Sequence, residues 1–67
     1  MTLYELITKL INIPITVMCN KGDGNYSLIY RGESCFFRMN EQESNMWIHH
    51  IAPHRERNGE IFIMVIE

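Results

Sequence analysis

The sequence predicts a small α+β domain in which an N-terminal helix packs on an antiparallel sheet of about four strands. Two observations predict this class: the start of the chain has the apolar spacing of a helix, and several later segments have strand patterns separated by turn residues. The 67 residues allow one domain, residues 1–67. An apolar content of 46% with 21% charged residues is typical of a chain that folds.

The helix is predicted to begin at Leu3. Thr2 and Glu5 form the sequence pattern of a capping box, in which each side chain bonds the backbone N–H of the other residue. Aliphatic residues then recur on one helical face: Leu3, Leu6, Ile7, Leu10 and Ile11. Asn12 is the expected end, because Pro14 disfavours helical dihedrals at the residue before it.

The strands and turns follow from alternation and from glycine. Residues 15–19 and 26–31 read as two strands, and the glycines between them, within residues 21–25, predict a hairpin turn. Residues 35–39 are expected to form a short third strand. Residues 40–45 are polar enough for a loop or a single helical turn.

The closing hairpin leaves one sheet face unexplained. Residues 46–51 and 60–66 read as strands, and Asn58-Gly59 predicts a type I′ turn with positive φ at both positions. The last strand is apolar on both faces, one carrying Phe62, Met64 and Ile66 and the other Ile61, Ile63 and Val65. A sheet under one helix needs only one apolar face. We therefore expect a second copy or a partner protein to cover the other face.

The predicted core lies between the helix and the sheet. It comprises Leu3, Leu6, Ile7, Leu10, Val17, Leu28, Trp47, Ile63 and Val65. Cys19 and Cys35 are expected to remain reduced thiols, because the start of the chain lacks the pattern of a secretory signal and an intracellular location is expected. No membrane contact is expected either, since the longest apolar run, residues 61–66, is far shorter than the roughly 20 residues of a spanning helix.

Metal binding and catalysis are not expected. The soft ligands are His49, His50, His54 and the two cysteines, but neighbouring strand residues such as His49 and His50 point to opposite faces. No nucleophile motif is present, and short chains seldom enclose a pocket. Gly22-Asp23-Gly24 lacks the Lys-Ser/Thr ending of a phosphate loop. The sequence therefore predicts a binding protein without a cofactor.

Charge names no partner, but residue types suggest contact residues. Six Lys and Arg against eight Asp and Glu give a net charge of −2, which is neither a basic nucleic-acid footprint nor a dense acidic mimic. Aromatic residues and arginines anchor protein interfaces. The expected partner-binding residues are Tyr30, Arg31, Arg38, Trp47, Arg55 and Arg57. The alternative is a small oligomer that binds a nucleotide or single-stranded nucleic acid through Arg31, Arg38, Arg55 and Arg57.

The order of these signals extends over nearly the whole chain. It runs from Met1-Thr2-Leu3-Tyr4-Glu5-Leu6-Ile7 through Asp23-Gly24-Asn25 and Tyr30-Arg31-Gly32 to the closing Ile61-Phe62-Ile63-Met64-Val65-Ile66. It resembles short proteins encoded by phages and prophages of Gram-positive and gut bacteria. Where the role of such a protein is known, it is often to bind and inhibit a host defence component, as anti-CRISPR proteins do.

The resemblance implies an inhibitor of a host defence effector, such as a CRISPR nuclease, acting by protein–protein contact in the cytoplasm of the host bacterial cell. The missing acidic surplus argues against nucleic-acid mimicry. A structural phage subunit, paired with itself or with another virion component, is the other alternative.

Overall fold

The computed structural model describes residues 1–66 and has the predicted α+β architecture. Its elements are α1 (Leu3–Lys9), β1 (Pro14–Gly22), β2 (Asn25–Glu33), a 3₁₀ turn (Ser34–Phe36), α2 (Glu41–Ser44), β3 (Trp47–Pro53) and β4 (Ile61–Ile66). The short N-terminal helix and the four-stranded sheet confirm the predicted fold class.

The sheet is mixed. Its strand order is β2-β1-β4-β3, with antiparallel outer pairs and a parallel central pair of β1 and β4. The two hairpins, β1–β2 and β3–β4, therefore lie side by side, and β1 of the first hairpin pairs with β4 of the second. Since β2 and β3 form opposite edges, residues 34–46 must cross the sheet, and this connection carries the 3₁₀ turn and α2.

The capping box of α1 forms as predicted. The Glu5 backbone N–H donates to Thr2 Oγ1 at 3.2 Å, and the Thr2 backbone N–H donates to Glu5 Oε1 at 2.9 Å. The hydrogen bonds from the Thr2 backbone N–H and hydroxyl lower the pKa of the Glu5 carboxyl from its ordinary value. The charged carboxylate is thus part of the helix start.

The helix ends at Lys9, so the expected end at Asn12 is wrong. Leu10 already has extended dihedrals, and Ile11 is 86% exposed. The cause is Ser34 in the 3₁₀ turn, which donates to the Ile11 carbonyl and accepts from the Ile13 N–H through its hydroxyl. These long-range bonds hold the segment extended before β1 begins.

The type I′ turn lies in the first hairpin. Asp23 (φ 51°) and Gly24 (φ 76°) form a two-residue loop between paired Gly22 and Asn25. The predicted type I′ turn at Asn58-Gly59 is wrong, because only the second of these two residues, Gly59, has positive φ.

Residues 57–60 instead form a turn closed by the Glu60 N–H on the Arg57 carbonyl at 3.1 Å. Positive φ at the third position is typical of type II. Residues 54–60, the β3–β4 loop, are therefore longer than a two-residue hairpin connection.

The predicted third strand at residues 35–39 is wrong. This segment turns inward, and Phe37 packs in the core instead of joining a ladder. Of the two alternatives for residues 40–45, a loop or a single helical turn, the structure has the helical turn, α2, and Asn40 and Glu43 form a second capping box there.

The core lies between α1 and one side of the sheet, here called the helix side. Its buried members are Leu3, Ile15, Val17, Cys19, Phe37, Met46, Ile63 and Val65, with Leu6, Ile7 and Leu10 packed against them. Two predicted core residues are wrong: Leu28 and Trp47 are 51% and 56% exposed. The pairing register places both on the other side of the sheet.

Candidate functional site

The side of the sheet opposite the helices carries three rows of side chains. Each row contains one residue from each of the four strands. Residues paired across strands share a face, so the register defines each row. In the order β2-β1-β4-β3 the rows are Tyr26-Asn20-Ile66-Trp47, Leu28-Met18-Met64-His50 and Arg31-Thr16-Phe62-Ala52. We call these twelve positions the open face.

Burial differs sharply between the two sides of the central strands. On the helix side, β1 and β4 bury five side chains, those of Ile15, Val17, Cys19, Ile63 and Val65, to 1% exposure or less. On the open face only Thr16 is buried. Since α1, α2 and the 3₁₀ turn pack on the helix side, the open face remains in contact with solvent.

The middle of the open face is apolar. Met18 and Met64 pair across β1 and β4, with Leu28 beside them on the edge strand β2. At one end of the strands, Tyr26 and Trp47 are each 56% exposed and lie at the two edges of the row that contains Ile66. We call these three residues the aromatic end.

The opposite end of the open face is polar. The Glu60 carboxylate is buried and accepts a hydrogen bond from the Thr16 hydroxyl. Its Oε2 lies 3.8 Å from Arg57 Nε and 3.9 Å from His54 Nε2. Arg31 Nε donates to Thr16 Oγ1 at 3.3 Å. We call Arg31 and Arg57 the cationic end, because their guanidinium groups contact the two members of the buried Thr16–Glu60 pair.

A groove of about 490 Å³ opens beside the cationic end. It is lined by His50, Ala52 and Phe62 of the open face and by residues 53–56. The His54 ring packs edge-on to Phe62 with 5.9 Å between ring centroids, and His54 Nδ1 accepts from the Glu56 N–H at 3.1 Å. The groove is thus a largely apolar slot with imidazole and carboxylate groups at its rim.

The structure brings four of the six expected partner-binding residues to this side. Trp47 and Arg31 lie at opposite ends of the open face, and Arg55 and Arg57 lie in the β3–β4 loop, where Arg57 belongs to the cationic end. All four are exposed.

The other two expected residues lie elsewhere. The Tyr30 ring stacks on Phe37 at 4.4 Å on the helix side, and its hydroxyl donates to the Glu33 carbonyl at 2.7 Å. Arg38 follows the 3₁₀ turn and donates to the Cys35 carbonyl at 3.3 Å. Neither side chain joins the open face.

Sequence reasoning missed Tyr26, Leu28, Met18 and the groove. Alternation along β1 was a signal for Met18, which lies on the opposite face from Val17 and Cys19. Tyr26 and Leu28 had no such signal. Regular pairing from the two-residue turn at Asp23-Gly24 would set Leu28 opposite Cys19 on the helix side, whereas the register shift between Asn20 and Gly22 sets it opposite Met18. The groove had no such signal, since it depends on the path of the β3–β4 loop.

The histidines and cysteines do not converge. Cys19 is buried on the helix side, whereas His50 lies on the open face. Within residues 1–66, no group of three or more His, Cys, Asp or Glu residues is placed to hold a metal ion. None of the helices in that range is long and apolar enough to span a membrane. No family model, no curated protein and no solved structure matches the chain.

Proposed function

We propose that this chain is a binding protein that acts by protein–protein contact without chemistry, and that the open face is its contact surface. The observation that carries the proposal is the contrast in burial between the two sides of β1 and β4. Apolar patches of this kind on small proteins mark interaction sites. Methionines adapt to a partner's shape, and exposed Trp and Tyr are the side chains that anchor interfaces.

The composition of the open face favours a protein over a nucleic acid. Platforms for single strands place aromatic rings along the path of the bases, with cations following the backbone. Here the middle row is Leu28, Met18, Met64 and His50, and the aromatic and cationic residues are separated at opposite ends. The buried Glu60 carboxylate also reduces the positive field at the cationic end.

Inhibition of a host defence effector is the specific role we propose for this binding. An inhibitor of this kind acts by covering a surface of its target and needs no active site of its own. The small size of the chain and the resemblance in the order of its sequence signals support this role. A structural subunit would use the same open face, but it would not protect an infecting phage from a host nuclease.

Site-specific photo-crosslinking tests the contact surface. A benzophenone side chain is placed at Leu28 on the open face or, as a matched control, at Ile11, which is apolar and more exposed but follows α1. We expect protein adducts of defined mass from position 28 and not from position 11. Equal labelling at both positions, or no adduct from position 28, would overturn the proposal.

Phage infection tests the specific role. Cells carrying a CRISPR nuclease directed against the phage are compared with and without the protein. We expect plaques to recover with the wild type and to be lost with Leu28→Lys, while Ile11→Lys behaves as the wild type. Absence of protection across a panel of defence nucleases would overturn the inhibitor role. The crosslinking result alone would then decide whether the open face is a contact surface.

A further inference from the structure

The open face is small enough for a second copy of the chain to cover it. Four strands at a spacing of about 4.8 Å, each about six residues long at about 3.3 Å per residue, give the sheet roughly 20 × 20 Å. The Cα trace of the whole chain measures 30 × 27 × 17 Å, so its two longer dimensions exceed those of the face. A partner of the same size therefore covers the face completely.

The two ends of the face decide how a second copy fits. Two identical sheets that pack face to face in a symmetric dimer are related by a twofold axis in the plane between them. If the axis runs along the strands, like ends meet, and Arg31 lies over the cationic β3–β4 loop of the second copy. If the axis runs across the strands, each strand lies over its own counterpart with reversed direction, and unlike ends meet. Charge favours the second arrangement.

The second arrangement also makes the side chains complementary. Arg31 lies over Tyr26 of the second copy, where a guanidinium and an aromatic face attract each other. Trp47 begins β3 and Ala52 lies in the opposite outer row of that strand. Reversal of β3 therefore places Trp47 of each copy over the groove of the other copy.

The groove suits an indole. Its volume of about 490 Å³ admits an indole, and Ala52 and Phe62 give its lining an apolar, partly aromatic character. Glu56 is also a lining residue, and a carboxylate can accept a hydrogen bond from an indole N–H. Trp47 is 56% exposed in one chain, so it is available for such a contact.

We propose that the open face binds a second copy of this chain, forming a twofold β-sandwich in which Trp47 of each copy lies in the groove of the other. The proposal rests on the proposed function, since it takes the open face as a protein contact surface. The arginine-bearing β3–β4 loop lies at the rim of this sandwich, where a further partner has access.

Solution mass and fluorescence test the dimer together. Light scattering across a concentration series is expected to give twice the 8.0 kDa of one chain. Trp47 is the single tryptophan of the chain, so its emission reports directly on the groove. We expect a blue shift and weaker acrylamide quenching as the concentration rises. Trp47→Ala should raise the dissociation constant about tenfold or more, whereas Tyr4→Ala, a matched aromatic on α1 that is 55% exposed, should not.

Crosslinking tests the direction of the axis. In a Cys35→Ser background, Leu28→Cys lies over its own counterpart in the proposed arrangement, within the about 10 Å between packed sheets. With the other axis it lies over β3, about 14 Å to the side of its counterpart. We expect a bismaleimide of about 10 Å reach to join two Leu28→Cys chains.

The outcomes separate this proposal from the proposed function. A monomer at all concentrations, or a dimer with solvent-exposed Trp47 emission and no crosslink through position 28, would overturn the second copy as occupant. If the benzophenone at position 28 then joins a different protein, the contact surface stands with another occupant. If it joins none, both proposals fail.

Discussion

Met18 and Met64 lie opposite each other across the parallel pairing of β1 and β4, and both side chains point to the open face. The same two strands bury their other side against α1. A thioether pair therefore occupies the centre of the sheet where solvent reaches it. Unbranched, polarizable side chains at that place suit a surface that must pack against a partner.

Methionine oxidation reports on this pair. Dilute peroxide converts an accessible thioether to a polar sulfoxide. At low protein concentration we expect Met18 and Met64 to oxidise faster than Met46, which is buried in the core. At high concentration the two open-face methionines should become protected. Peptide mass spectrometry measures the rates, and concentration-independent oxidation of Met18 and Met64 would contradict a covered open face.

The capping box of α1 makes stability depend on pH. Hydrogen bonds from the Thr2 backbone N–H and hydroxyl lower the Glu5 pKa, so the folded state favours the charged carboxylate. This stabilisation is present above the unfolded pKa and is lost as pH falls through the lower, folded pKa. We expect Glu5→Gln to be less stable than the wild type near neutral pH, with the difference shrinking in acid.

Urea unfolding at fixed protein concentration measures this effect. Thr2→Ala removes the other half of the box and should cost about 1 kcal/mol. Glu41→Gln, an exposed acidic residue in the first turn of α2, is the control. A pH-independent difference between Glu5→Gln and the wild type would show that the charge plays no part.

Sequence patterns predicted the elements formed by local interactions. The Thr2–Glu5 cap and the strand alternation are short-range signals, and these elements formed where expected. A second capping pattern, Asn40 followed by Glu43, marks α2 in the same way. Elements that depend on distant contacts differ from expectation. The helix end depends on Ser34, and residues 35–39 leave the sheet because Phe37 fills the core.

The candidate site was predicted only in part for the same reason. The apolar faces of the last strand pointed to an uncovered side of the sheet. Which of Tyr30 and Trp47 joined that side depended on the register of the edge strands. The β1–β2 pairing has two register shifts, between Val17/Met18 and between Asn20/Gly22, and the β3–β4 pairing has one, between Ile48/His50. A bulge shifts the alternation by one residue, so a simple pattern assigns such residues to the wrong face.

The buried pair of Thr16 and Glu60 should behave as a unit. The Thr16 hydroxyl is 1% exposed and donates to the Glu60 carboxylate. Glu60→Ala leaves that hydroxyl without its acceptor and should cost about 1–3 kcal/mol. Thr16→Val alone removes the hydroxyl that donates to the buried carboxylate, leaves it only the longer contacts with Arg57 and His54, and should also destabilise the fold. The combined Thr16→Val/Glu60→Met variant should cost less than the sum of the single variants, and strict additivity in urea unfolding would contradict the coupling.

The turn at Asp23-Gly24 offers a test of register. Gly24 has a φ of 76°, and a Cβ there would meet no atom within 4 Å, so Gly24→Ala adds only backbone strain. We expect a loss of about 1 kcal/mol. Asp23→Asn creates the pair most favoured in type I′ turns and should leave stability equal or slightly higher. The face that Tyr26 and Leu28 occupy is set by the register shift between Asn20 and Gly22, which follows the turn in the ladder. Gly24→Ala and Asp23→Asn should therefore both leave association through the open face unchanged under conditions where the fold is intact. Association that is weakened in a folded Gly24→Ala variant would show that the turn itself sets the register.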